Sequence, residues 1–111
     1  MSQNRFARHL AAGTYELIIL DVLREGPAYG YGIIHRIAKQ SRYQLQWQQG
    51  TVYPALYRLE ARRWIKGEWD RSRPGRERRY YRLTPRGRVA WRVQRQHWKQ
   101  FSAAVAAVLG L

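Results

Sequence analysis

The chain has 111 residues, 45% of them hydrophobic and 14% aromatic, and a formal net charge of +14. That suffices for one domain with one core and is too apolar for disorder by composition. Cysteine is absent, which excludes disulfides and thiolate metal sites. So large a positive charge points to a polyanionic partner, nucleic acid ahead of an anionic membrane surface.

In chain order, Arg5 to Ala11 fits a short helix with Phe6 and Leu10 on one side. Thr14 to Glu25 reads as a helix that is apolar nearly all round, capped by Thr14 and stopped by Gly26-Pro27. A second helix is expected from Ala28 to Gln40, with Ile33, Ile34, Ile37 and Ala38 inward. Gly30 and Gly32 near its start suggest close packing. Tyr43 to Gln48 alternates Tyr43, Leu45 and Trp47 with three glutamines. That pattern fits a half-buried strand or an extended loop.

A third helix is expected from Thr51 to Trp64, starting at Gly50 or Thr51 so that Pro54 falls in the first turn. Val52, Leu56 and Leu59 share its core face. Thr51, Pro54, Tyr57, Arg58 and Arg62 lie on the other side. Ile65 to Asp70 and Arg78 to Leu83 read as strands joined through the turn residues Ser72 to Arg76. Thr84 then caps a last helix with Pro85 at its first position, running to about Val108. Along it Trp91, Trp98 and Val105 recur at heptad spacing, with Gln94, Phe101 and Val108 offset between them, the pattern of an a/d seam.

This order predicts a mainly α fold with a small β-hairpin wing, a winged helix-turn-helix followed by a C-terminal dimerisation helix. Residues 1–84 would form the DNA-binding unit with its N-terminal helical extension, and residues 85–111 the dimerisation helix. Between Arg71 and Arg88 the chain places eight arginines and one acid, Glu77. A hairpin edged with arginine is a shaped surface for phosphates. The third helix presents small, hydroxyl and arginine side chains suited to a major groove.

The expected DNA-facing residues are therefore Thr51, Tyr53, Pro54, Tyr57, Arg58 and Arg62 on the helix. On the hairpin they are Lys66, Arg73, Arg76 and Arg78. For Thr51, Tyr57 and Arg58 the plainer reading is a solvated helix face, and for Tyr53 a structural role. Arg79 and Arg82 have Glu68 and Asp70 as alternative partners across the hairpin. Dimer contacts are expected from Phe6, Leu10, Trp91, Gln94, Trp98, Phe101, Val105 and Val108. Trp98 and Phe101 can serve either as seam packing or as a platform for a flat ligand.

His9, His35 and His97 are widely spaced and suggest no metal site, and no cofactor is implied. The seven acids form no catalytic pair, and no nucleophile motif occurs, so an enzyme is not expected. Met1 to Arg8 lacks the apolar run of a signal peptide, and Ala103 to Leu109 is too short to span a membrane. A cytoplasmic protein that does not engage membranes is the expectation.

Four segments resemble the PadR family of transcriptional regulators. They are Leu23 through Gly26-Pro27-Ala28-Tyr29-Gly30-Tyr31-Gly32-Ile33-Ile34, then Gly50-Thr51-Val52-Tyr53-Pro54-Ala55-Leu56-Tyr57-Arg58-Leu59-Glu60, then Arg78-Arg79-Tyr80-Tyr81-Arg82-Leu83-Thr84, and Gly87. The resemblance implies a homodimeric winged-helix repressor on a palindromic operator in duplex DNA, with a C-terminal helix that builds the dimer. It places the chain in the short subgroup, which has a single such helix. In a multidrug-responsive member of that subgroup a tryptophan of this helix stacks planar drugs at the dimer centre. Counting from Arg82-Leu83-Thr84 and Gly87 puts that tryptophan at Trp98. Glu77 departs from a stretch that is usually basic or glycine-rich, and the last helix is unusually rich in arginine. The alternative function is a non-specific, architectural DNA-binding winged helix. A module that binds protein or RNA is a third reading.

Overall fold

The computed structural model describes residues 13–111, so the expected helix over Arg5 to Ala11, with Phe6 and Leu10, lies outside the described residues. Among those described, the order is α1 (Thr14–Leu23), β1 (Ala28–Tyr29), α2 (Gly30–Gln40), α3 (Gln49–Ala61), β2 (Ile65–Asp70), β3 (Arg78–Leu83) and α4 (Pro85–Leu109). The strands form one antiparallel sheet in the order β1-β3-β2. This is a winged helix with a long C-terminal helix, mainly α with a small hairpin wing.

The core collects the inward positions of each helix: Ile19, Leu20 and Leu23 of α1, Ile33 and Ile37 of α2, and Val52, Leu56 and Leu59 of α3. Ile65, Tyr81 and Leu83 close it from the sheet. Arg36 of α2 reaches back to the turn after α1, donating to the carbonyls of Gly26 at 2.9 Å and Pro27 at 3.1 Å. The α1–α2 corner therefore has its exposed carbonyls satisfied by a guanidinium.

Several boundaries differ from the sequence expectation. Gly13, in the left-handed conformation at φ 83°, is the N-cap of α1, and Thr14 is instead its buried first residue. The helix ends at Leu23 rather than Glu25. Ala28 and Tyr29 are not helical but pair with Tyr81 and Tyr80. Gly30 is a site of close packing, as its Cβ would overlap the Tyr53 phenol, whereas a Cβ at Gly32 would meet only ordinary contacts. Tyr43 to Gln48 forms no strand. Arg42 and Tyr43 adopt positive φ, 53° and 64°, and turn the chain before an extended loop. Leu45 and Trp47 still point inward, with Trp47 against the Tyr15 ring. α3 begins at Gln49, not Gly50 or Thr51, because Gln48 is extended and its carbonyl accepts from Thr51 and Val52. Pro54 thus lies beyond the first turn.

Both wing strands and the cap of α4 follow the expected pattern. Thr84 Oγ1 accepts from Gly87 N at 2.9 Å and donates to the Trp64 carbonyl at 3.0 Å, joining α4 to the end of α3. Gly87 sits so close that an added Cβ would overlap the Trp64 carbonyl. Gly87→Ala is therefore expected to destabilise the fold by about 1–3 kcal/mol, the usual range for overpacking. A thermal melt reads this as a drop of several degrees per kcal/mol. An unchanged melting temperature would mean that α4 can shift off the α3–β2 junction freely.

α4 has 25 residues, ~37 Å at 1.5 Å per residue. Its first turns lie on the body, where Ala90 and Trp91 pack against the core. Beyond Gln94 it carries mostly exposed side chains. No helix among the described residues is long and apolar enough to cross a membrane.

Candidate nucleic-acid interface

On α3, Pro54, Tyr57 and Arg58 face outward, with Tyr57 78% exposed, while Thr51 is half-buried. Tyr53 is also exposed, yet its phenol rests on the start of α2 in the space left by Gly30. Arg58 Nε lies 2.7 Å from the buried Glu16 carboxylate of α1, which anchors this side of α3 to the body. Arg62 follows the last turn as C-cap, with its guanidinium 5.0 Å over the Trp64 ring. Lys66 stands exposed on β2 opposite Arg82.

The wing tip is organised by its acids. Asp70 Oδ1 accepts from Ser72 N at 3.0 Å and Glu77 Oε2 from Gly75 N at 3.1 Å. The Ser72 backbone and hydroxyl hydrogen bonds, helped by the Arg73 charge, hold the Asp70 carboxyl below its ordinary range. Both carboxylates serve the turn, and neither Arg73 nor Arg76 forms an ion pair among the described residues. The two exposed guanidinium groups stand at the end of the hairpin, with Arg78 behind them over the Tyr29 ring at 4.3 Å. Arg82 pairs with Glu68 at 3.3 Å, as expected, while Arg79 crosses instead to Glu60 of α3. Between the start of α2, α3 and the wing lies a groove of roughly 530 Å³ lined by Tyr29, Tyr31, Tyr53, Trp69 and Arg78.

α4 carries the second cluster of exposed aromatic and aliphatic side chains. Trp91 donates its indole N–H to Asp21 of α1 at 2.8 Å, under the Arg24 guanidinium. Trp91, expected in the seam, is thereby tied to α1 of its own chain. Gln94 is half-buried beside it, while Trp98, Phe101, Val105 and Val108 form an exposed apolar stripe, Trp98 being 44% and Phe101 56% exposed. Trp98 also borders a cleft of about 360 Å³ between α1 and α4, shared with Leu17, Ile18, Leu45 and Trp91. A second hollow joins Leu17, Gln94, Trp98 and Phe101. The two expected ligand residues thus adjoin one hollow, and four of the expected seam residues share one stripe.

Residues 19–93 match the sequence profile of the transcriptional regulator PadR-like family. The chain belongs to that family. This PadR-like regulator is 40% identical over 65 residues to the transcriptional regulator Rv3488 of Mycobacterium tuberculosis, spanning 59% of this chain and 60% of the relative. A solved PadR-family regulator from Eggerthella lenta matches it with a TM-score of 0.80 at 30% identity, over 96% of this chain and 90% of the other. Bacillus subtilis PadR, solved in complex with operator DNA, matches with a TM-score of 0.66 at 22% identity, over 73% of this chain and 46% of its own, a likeness of fold alone. Members of this family are transcription regulators, not enzymes.

Three residues of the interface scaffold are not evident from sequence reasoning: Glu16, Glu60 and Gly67. Glu16 is buried in the first turn of α1, and Glu60 lies near a helix C-terminus, where an acid opposes the helix dipole. Of the two, Glu60 stands against the dipole, and that is a local signal of a cation partner elsewhere.

Proposed function

We propose that this regulator is a homodimeric repressor that binds a palindromic operator in duplex DNA. Residues 1–84 supply the DNA-binding unit and residues 85–111 the dimer. The observation that carries the reading is the exposure of Tyr57 on α3 together with that of Arg73 and Arg76 on a tip whose own acids are occupied by backbone N–H groups. α3 enters a major groove and reads base edges with Thr51, Tyr57 and the residues around them, while the wing holds flanking phosphates. The operator complex of the distantly similar Bacillus subtilis PadR supports the same use of the fold.

The exposed stripe Trp98, Phe101, Val105 and Val108 is the dimer surface, since an apolar row on a protruding helix asks for a partner of the same kind. Two protomers then place their α3 helices about 34 Å apart, one helical turn of DNA. A planar aromatic effector stacks on Trp98, and by changing the spacing of the two DNA-binding units it weakens operator binding, as DNA weakens effector binding in return. The protein works in the cytoplasm, where bacterial operators are.

Selection of bound duplexes from a random pool tests the reading. A two-fold symmetric consensus is the expected result, and recovery without any consensus would support the architectural function instead. The effector part is tested by Trp98→Ala, which is expected to abolish at least most of the tryptophan quenching caused by a planar dye. Quenching equal to the parent protein's would remove Trp98 as the platform while leaving the DNA reading intact.

A further inference from the structure

Glu60 occupies the last turn of α3, in a protein with 21 basic and 7 acidic residues. An acid there opposes the helix dipole by a few tenths to one kcal/mol at most, and it also lowers the positive charge of the DNA-facing side. Its neighbours explain its placement. Glu60 Oε2 accepts from Gly67 N of β2 at 3.1 Å and from the Arg79 guanidinium of β3. The strong contact with Glu60 raises the Arg79 pKa further still. The guanidinium occupies the place of the missing Gly67 side chain, since a Cβ on Gly67 would press on Arg79 Nε and Cζ. One carboxylate thus ties the recognition helix to both strands of the wing.

We infer that Glu60 is a positioning residue that sets the angle between α3 and the wing, and so decides whether the wing reaches its phosphates while α3 lies in the groove. The inference rests on the duplex-DNA reading above. Beyond this tie, residues 71–78 are exposed, with Arg78 at their end resting over the Tyr29 ring. From Gly67 to the tip is an arm of ~20 Å at 3.3 Å per residue. A tilt of about 10° displaces its end by ~3.5 Å, more than a phosphate hydrogen bond tolerates.

The test is duplex binding as a function of salt for the parent protein, Glu60→Ala, Glu60→Gln and Gly67→Ala. Removing an acid ordinarily strengthens DNA binding and steepens its salt dependence. The tie predicts the reverse: binding to the selected duplex about tenfold weaker and a shallower slope, by roughly 0.9 for each phosphate the wing no longer reaches. Gly67→Ala, which leaves the charge unchanged, is expected to act in the same direction by displacing Arg79. Glu60→Gln keeps an acceptor for Gly67 N–H and decides the matter if Glu60→Ala fails to fold. Tighter binding or an unchanged slope in folded Glu60 variants would overturn the positioning role while leaving the DNA reading in place. Failure of the parent protein to bind any duplex would overturn both.

Discussion

Cutting the chain after Gln94 is expected to turn the proposed dimer into monomers and to reduce operator affinity by about 10²–10⁴, the usual effect of unlinking two binding units. The reason lies in how α4 divides. Ala90 and Trp91 pack on the body, with the Trp91 indole held by Asp21, so the winged-helix core survives the cut. The removed part carries Trp98, Phe101, Val105 and Val108, which are exposed in the single chain. Sedimentation equilibrium checks the mass, circular dichroism the fold, and binding to one half-site against the full palindrome the coupling. The truncated protein should bind a half-site as the parent's single unit does and gain little from the second. A truncated chain that stays dimeric would place the interface elsewhere, on the α1 side or in residues before 13.

The double variant Arg73→Ala, Arg76→Ala is expected to release four phosphates per dimer. At roughly 0.9 per phosphate, the slope of log affinity against log salt should fall by ~3.6, and affinity near 0.15 M salt by roughly 10³. The weakening should be equal on the selected operator and on random duplex, because phosphates carry no sequence information. Arg73 and Arg76 suit this experiment because the adjacent acids, Asp70 and Glu77, are engaged by Ser72 N and Gly75 N rather than by guanidinium groups. Their removal leaves no carboxylate newly unpaired. A weakening confined to the operator would mean that the wing reads bases in a minor groove.

What was legible in the sequence was what is local. The wing strands keep the bounds Ile65–Asp70 and Arg78–Leu83 read from sequence, and pair across the Ser72–Arg76 turn. Thr84-Pro85 announces α4 through chemistry within three residues, since Thr84 caps Gly87 N. What escaped depends on distant partners. Ala28 and Tyr29 become a strand only because β3 has a free edge beside Tyr80 and Tyr81. Tyr43 to Gln48 keeps the alternating burial of Leu45 and Trp47 but meets no strand edge, so the same pattern yields a loop.

The candidate site divides the same way. The exposed face of α3 and the arginine tip follow from periodicity and turn chemistry. Arg79, with Glu68 and Asp70 nearest across the hairpin, instead meets Glu60, nineteen residues earlier, through the gap at Gly67. Arg58 likewise finds Glu16 on a different helix. Heptad spacing places Trp91 and Trp98 in one row, yet α1 claims the first and leaves the second exposed.

The most direct test of the account is a hydroxyl-radical footprint of the parent protein on the selected operator. Two protected patches per strand, related by two-fold symmetry and about one helical turn apart on one face of the duplex, are predicted. A single asymmetric patch, or even protection along the whole fragment, would contradict a dimer that sets two α3 helices into successive major grooves.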